Sequence, residues 1–148
     1  MKGVYALLFF LCDSSPRVGS LGTLRFSSGL YLYIGSARGQ GGVRARISRH
    51  LRKEKVLRWH IDYLTSLECS RPLFLAAAES PLDAEERVAS ELENSLCFSP
   101  SYRGFGSSDK SSRTHLFRCD CSVEDCAREV LIAMSRAGLR GELHLFSR

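Results

Sequence analysis

The apolar residues of this chain change period several times, and each change predicts an element. Gly3 to Leu11, GVYALLFFL, is a near-continuous apolar run of strand length, which suits a central strand buried on both faces. Cys12 to Gly22 is punctuated by Pro16, Gly19 and Gly22 and reads as a loop. Thr23 to Phe26 reads as a short strand, which Ser27-Ser28-Gly29 turns into the next one. There Leu30, Leu32 and Ile34 alternate with Tyr31, Tyr33 and Gly35 at period two. After the glycine-rich turn Ser36 to Gly42, apolar residues recur as Val43, Ile47 and Leu51, every fourth position, which predicts an amphipathic helix. Leu57, Ile61 and Leu64 mark a second helix over 57–67. Pro72 to Glu79 is a third strand, closed by Ser80-Pro81. A third helix over 82–96 carries Leu82, Val88, Ala89, Leu92 and Leu96. Ser99 to Arg113 is a polar loop rich in glycine and serine, and Thr114 to Cys119 reads as a short strand. Ser122 with Asp125 sets a capping box for a fourth helix ending near Gly138, and Glu142 to Phe146 is a last strand or a docked tail.

The order β-β-α-α-β-α plus a C-terminal extension predicts an α+β fold, with helices flanking a small central antiparallel or mixed sheet of about three core strands. For 148 residues the prior is one compact domain, residues 1–98 forming its core and 99–148 an extension packed on it. The opening Lys2 and Val4–Cys12 imitate a signal peptide, but the run is short and no A-x-A site follows, so a buried first strand is the better account. No apolar run reaches eighteen residues, which excludes a membrane-spanning helix. Six scattered cysteines in a chain of this size predict reduced thiols in a cytoplasmic protein, with Cys119, Cys121 and Cys126 as small apolar packing residues.

Net charge of +5 points to an anionic partner, nucleic acid first. The charge gathers after the second strand. A strand delivers Tyr33 to a turn containing Arg38, and the helix beyond it carries Arg44, Arg46, Arg49, His50 and Arg52, an arrangement that suits a phosphate. On a helical wheel centred on Val43, Ile47 and Leu51, Arg46 and His50 share one border, one turn apart, while Arg49 and Arg52 lie near the solvent side. Lys53, Lys55 and Arg58 extend the basic surface and would follow a phosphate backbone without reading bases. Glu85 falls at the middle of the apolar stripe of the third helix, with Glu86 on its flank. A carboxylate on an apolar face is costly unless it is paired with a cation or holds a metal. Glu79 is a lesser candidate. Chemistry alone leaves Tyr5 and Tyr33 open between core packing and a site role. His60, Asp62, Asp109 and His115 are accessory candidates, but His60 and His115 read better as satisfied polar residues, Asp62 as exposed and Asp109 as a loop cap.

Gly3-Val4-Tyr5 and Tyr33-Ile34-Gly35 on neighbouring strands, Arg46-x-x-x-His50 on the following helix and Glu85 on a later one together resemble the GIY-YIG nuclease superfamily. The strings YIGSA, RISRHL, WHIDYL and GFGSSD…THLF are similar to a small prokaryotic group within it. The resemblance covers residues 3–96, and at group level extends to about Phe117. Lys110 and Ser112 stand where that group usually carries cysteines, which tells against zinc at the GSSD loop.

What the resemblance implies is a metal-dependent endonuclease hydrolysing phosphodiester bonds in DNA, branched or damaged forms included. Tyr5, Tyr33, Arg46, His50 and Glu85 would be catalytic, with one Mg²⁺ or Mn²⁺ on Glu85. Arg38, Arg44, Arg49, Arg52 and Lys53 would bind the nucleic acid. No membrane and no small-molecule cofactor are expected, and the oligomeric state is open. The alternatives are a nucleic-acid-binding module without cleavage and a partner-binding domain.

Overall fold

A computed structural model describes residues 1–80, 84–106 and 114–146. Its elements are β1 (Gly3–Leu11), β2 (Gly29–Ala37), α1 (Gly42–Leu51), α2 (Asp62–Thr65), β3 (Arg71–Glu79), α3 (Ala84–Leu92), β4 (Phe98–Pro100), β5 (Leu116–Cys119), α4 (Val123–Arg136) and β6 (Glu142–Leu145), with a 3₁₀ turn at Gly19–Leu21. The fold is α+β: four helices on a six-stranded sheet of order β4-β5-β2-β1-β3-β6, antiparallel throughout. This corrects the expected sheet of about three core strands. The further strands β4, β5 and β6 are three to four residues long; β5 lies within the short strand expected at Thr114–Cys119, β6 within the strand or docked tail expected at Glu142–Phe146, and β6 is exposed at every position. β6 forms by pairing with the longer β3 rather than by burying a face of its own, whereas β5 buries Leu116, Phe117 and Cys119 in the two cores and β4 buries Phe98.

β1 lies at the centre, paired on one side with β2 and on the other with β3. Its alternate residues feed two separate cores. Val4, Ala6 and Leu8 pack with α3 and α4 on one face. Tyr5, Leu7, Phe9 and Leu11 pack with α1, α2 and the 12–28 loop on the other. In that loop Thr23–Phe26 makes only isolated bridges, Ser14 to Phe26 and Arg17 to Thr23, in place of the expected strand. Ser122 caps α4 by accepting a hydrogen bond from the Asp125 N–H, and Gly138 past the end takes φ +82°. α3 stops at Leu92, and Leu96, expected on its apolar face, is fully exposed. Leu82, Asp109, Lys110 and Ser112 lie outside the described residues.

The expected helix over 57–67 shrinks to the single turn of α2. The reason is Asp62, expected on an exposed face and found wholly buried. Its Oδ2 accepts from the N–H groups of Arg58 (2.9 Å) and Trp59 (3.0 Å) and from Arg49 Nη2 (2.7 Å). Burial alone would raise this carboxyl's pKa, but the hydrogen bonds from Arg49, Trp59 and Arg58 outweigh it and hold it below the usual range. Two lysines fix the rest of the connection. Lys53 Nζ donates to the carbonyls of Leu67 (2.7 Å) and Ser70 (2.6 Å), and Lys55 Nζ to the carbonyl of Arg49 (3.0 Å) and the hydroxyl of Thr65 (2.7 Å).

The cysteines also depart from expectation. All six are paired, as Cys12–Cys69, Cys97–Cys121 and Cys119–Cys126. Spacing in sequence hides what the sheet brings together. Cys12 leaves β1 beside the point where Cys69 enters β3, and Cys97 precedes β4 next to the end of its partner β5. Among the described residues no helix is long and apolar enough to cross a membrane.

Because Arg49 is only 15 % exposed, Asp62→Ala should strand a nearly buried guanidinium and cost about 3–5 kcal/mol. Asp62→Asn, which keeps an acceptor for the two N–H groups, should cost less. Urea unfolding of the three proteins measures this, and a loss below about 1 kcal/mol for Asp62→Ala would refute the role given to the pair.

Candidate active site

The antiparallel register of β1 and β2 sets Tyr5 opposite Gly35 and Leu7 opposite Tyr33, so the two tyrosines stand diagonally on one face with ring centroids 6.3 Å apart. Gly35 is required by close approach: a Cβ there would overlap the Tyr5 phenol. α1 crosses this face and brings His50 to Tyr5, where the hydroxyl and Nε2 share a hydrogen bond of 2.7 Å. From the other side of the sheet the first turn of α3 contributes Glu85, which is 6 % exposed. Where β1 begins and β2 ends, these elements enclose a cleft of about 370 Å³ lined by Tyr5, Tyr33, Arg38, Arg46, Glu85 and His115, with Trp59 on its wall.

The electrostatics hold three of these groups neutral. Burial raises both phenols well above the ordinary tyrosine value, and for Tyr5 the neighbouring Tyr33 adds to it. Burial, reinforced by the positive charge of Lys55, lowers His50 to about 3. Cationic charge comes from Arg46, whose guanidinium lies 4.0 Å from the centre of the Trp59 ring, and from Arg38, whose Nη2 donates to Ser80 Oγ at 3.1 Å. His115 Nε2 sits 3.3 Å from Glu86 Oε1 beside the cleft.

Several side chains sit elsewhere than the wheel placed them. The stripe of α1 is rotated: Val43 and His50 are buried, Ile47 is half-buried and Leu51 is exposed. Arg46 and His50 therefore reach inward while Arg44 and Arg52 stay on the surface. Arg49, expected to face solvent, is turned inward to Asp62, and the ammonium of Lys53 is engaged by carbonyls. Glu79 is exposed at the end of β3. Glu86, expected to idle on the flank, faces His115. His60 Nδ1 accepts the Gly106 N–H at 2.9 Å, and burial lowers its pKa. Reasoning from sequence weighed His115 as an accessory group but preferred a satisfied polar residue, and it missed Trp59 as a cleft residue. The signal for Trp59 was there: a lone tryptophan between Arg58 and His60, an aromatic set among basic residues.

A family model described as Domain of unknown function DUF123 matches residues 4–137. The chain belongs to this family. None of the curated proteins and none of the solved structures compared with it matches. DUF123 is a distinct family, which corrects the resemblance to GIY-YIG nucleases: nothing in the match links the two. Two tripeptides rich in tyrosine and glycine are weakly specific, because such residues recur wherever strands pack closely. The DUF123 match runs from β1 to the end of α4, so it contains every residue of the cleft and leaves only β6 outside.

His50 gives the site a pH signature. The unfolded chain, with an imidazole near 6.5, takes up a proton that the folded one refuses until about pH 3. Its contribution is therefore intact above 6.5 and lost as pH falls below it, by about 1.4 kcal/mol per pH unit. His50→Gln keeps a partner for Tyr5 and should flatten the stability profile between pH 6 and pH 4 relative to the parent. Parallel profiles would mean that His50 takes up its proton in the fold as readily as in the unfolded chain.

Proposed function

We propose that the cleft binds a phosphodiester of DNA and hydrolyses it with the help of one divalent cation. The observation that carries this reading is the meeting of Arg46 and Glu85 with two neutral tyrosine hydroxyls in one cleft of about 370 Å³. Among the described residues no group of three or more His, Cys, Asp or Glu side chains is placed to hold a metal. Glu85 therefore fits an ion that takes most of its shell from water and phosphate oxygens, as Mg²⁺ or Mn²⁺ does, and not a cation needing a protein cage. When bound, such an ion would polarise the phosphate and stabilise the leaving oxygen.

The chain's own groups then have distinct tasks. The Arg46 fork, steadied on Trp59, pairs with two non-bridging oxygens, and Arg38 adds a second positive charge. Tyr33 offers a hydroxyl proton to a phosphate oxygen. Tyr5 orients the attacking water. His50 does not line the cleft; it acts on the reaction by fixing the Tyr5 hydroxyl and is a positioning residue. The reading places the chain in the cytoplasm with its substrate. Disulfides are the exception in that compartment, so thiol alkylation before lysis is the check on it.

One observation favours a second reading, binding without cleavage. With both phenols pushed up and His50 pushed down, none of the three is an ordinary base near neutral pH. A plasmid-nicking assay with Mg²⁺ or Mn²⁺, beside a binding assay, separates the two. Glu85→Gln should lower nicking by about 10²–10³ and leave binding largely intact. Arg46→Lys keeps the charge, loses the fork, and should lower nicking more than affinity. Nicking by Glu85→Gln at the parent rate would remove Glu85 from the chemistry, and binding by the parent without any nicking would establish the second reading.

A further inference from the structure

Next to the cleft, and sharing Arg46 and Trp59 with it, lies a second groove of about 260 Å³, lined also by Gly39, Arg49, Arg52 and Arg58. We propose that it is a second subsite for the same strand, taking the adjoining phosphate on Arg52 and Arg58 and an unpaired base on the face of Trp59. This rests on the cleft being a phosphodiester site, and it names the substrate class: a single-stranded or locally melted polynucleotide.

Charge is the first ground. Among the described residues four arginines line the groove and no carboxylate does. Asp62 answers only Arg49, and among the described residues Arg46, Arg52 and Arg58 form no ion pair. Like charges gathered this closely repel, and a polyanion relieves them. Shape is the second. Trp59 is 38 % exposed, yet it is held in place. Its backbone N–H is bound by Asp62, and the guanidiniums of Arg46 and Arg49 lie 4.0 and 4.7 Å from its ring centre. A fixed, exposed indole is a stacking platform for a base, and it is sequence-tolerant because every base has a π-face. Its chain neighbours Val56 and Leu57 are also exposed and add apolar surface. Continuity is the third. Arg46 and Trp59 belong to both cavities, so ligand groups in the two lie next to each other, as successive nucleotides of one strand do. In a duplex the bases are stacked on one another and paired, and none is available to the indole.

Trp59 is the only tryptophan in the chain, so its fluorescence reports this groove directly. The parent protein, without divalent metal so that nothing is cut, is titrated with a short oligothymidylate, with an abasic strand of equal phosphate number, and with a blunt duplex. The single strand should quench saturably, the abasic strand should bind with little quenching, and the duplex should quench least. Changing Arg52 and Arg58 together to Ala should weaken single-strand binding and lower its log–log salt slope by about 1.4. Arg140→Ala, an equal loss of charge per residue beyond α4, should change neither. Equal quenching by abasic and base-bearing strands, or no quenching, overturns the stacking subsite, as does an unchanged slope in the double variant. Nicking of plasmid with Mg²⁺ by the same preparation, with Trp59 silent, would sink this inference and leave the nuclease reading standing. Strong quenching without nicking would do the reverse.

Discussion

Asp62 is a buried carboxylate with three donors gathered on one oxygen, and most of what is specific about the cleft hangs on it. Its acceptor geometry stops the chain from continuing a helix through 58–61 and fixes the backbone of Trp59. Its charge pulls Arg49 inward from α1, which sets the rotation of that helix on the sheet. Trp59 and the rotated helix then determine where Arg46 lies, since its guanidinium rests on the indole. A buried ion pair of this kind is weak evidence for net stability, because desolvation offsets much of the attraction. Here it fixes an arrangement, holding a surface loop and a helix in one register so that a cation faces the strand ends.

The sheet explains why the cleft lies where it does. β1 is covered on both faces, and its alternate side chains belong to different cores. α1 can approach only from one side and α3 only from the other. They meet past the end of the central strands, where β1 begins and β2 runs out at Ala37. A site at that end draws residues from both cores without opening either, and the absence of a side chain at Gly35 leaves room for a phenol between them.

What was legible in the sequence follows the strength of local patterning. β1, β2 and α4 could be read because a long apolar run, a clean alternation and a capped amphipathic stretch each have one good explanation. Glu85 stood out because a charge in the middle of an apolar stripe demands a partner or a ligand. Three features could not be read this way. The three-residue strand β4 exists through its neighbour's hydrogen bonds, which leave no period in its own residues, and β6 could be read only as a strand or a docked tail. The cysteines pair at separations of 57, 24 and 7 residues, and spacing does not encode connectivity. The rotation of α1 came from Asp62, a tertiary partner that overrode a wheel drawn from Leu51. The likeness to a nuclease family rested on short motifs, while the family match spans nearly the whole chain and is the firmer guide to kinship.

An arginine side chain has many rotamers, and holding one still costs about 2 kcal/mol of conformational entropy. Stacked on the indole of a residue whose backbone is tied to a buried carboxylate, Arg46 is already ordered before an anion arrives. That ordering belongs to folding and not to ligand capture. An anion arriving at this surface meets a fork already in place, so its rate of capture is governed by long-range attraction and encounter, with no slow rearrangement to wait for.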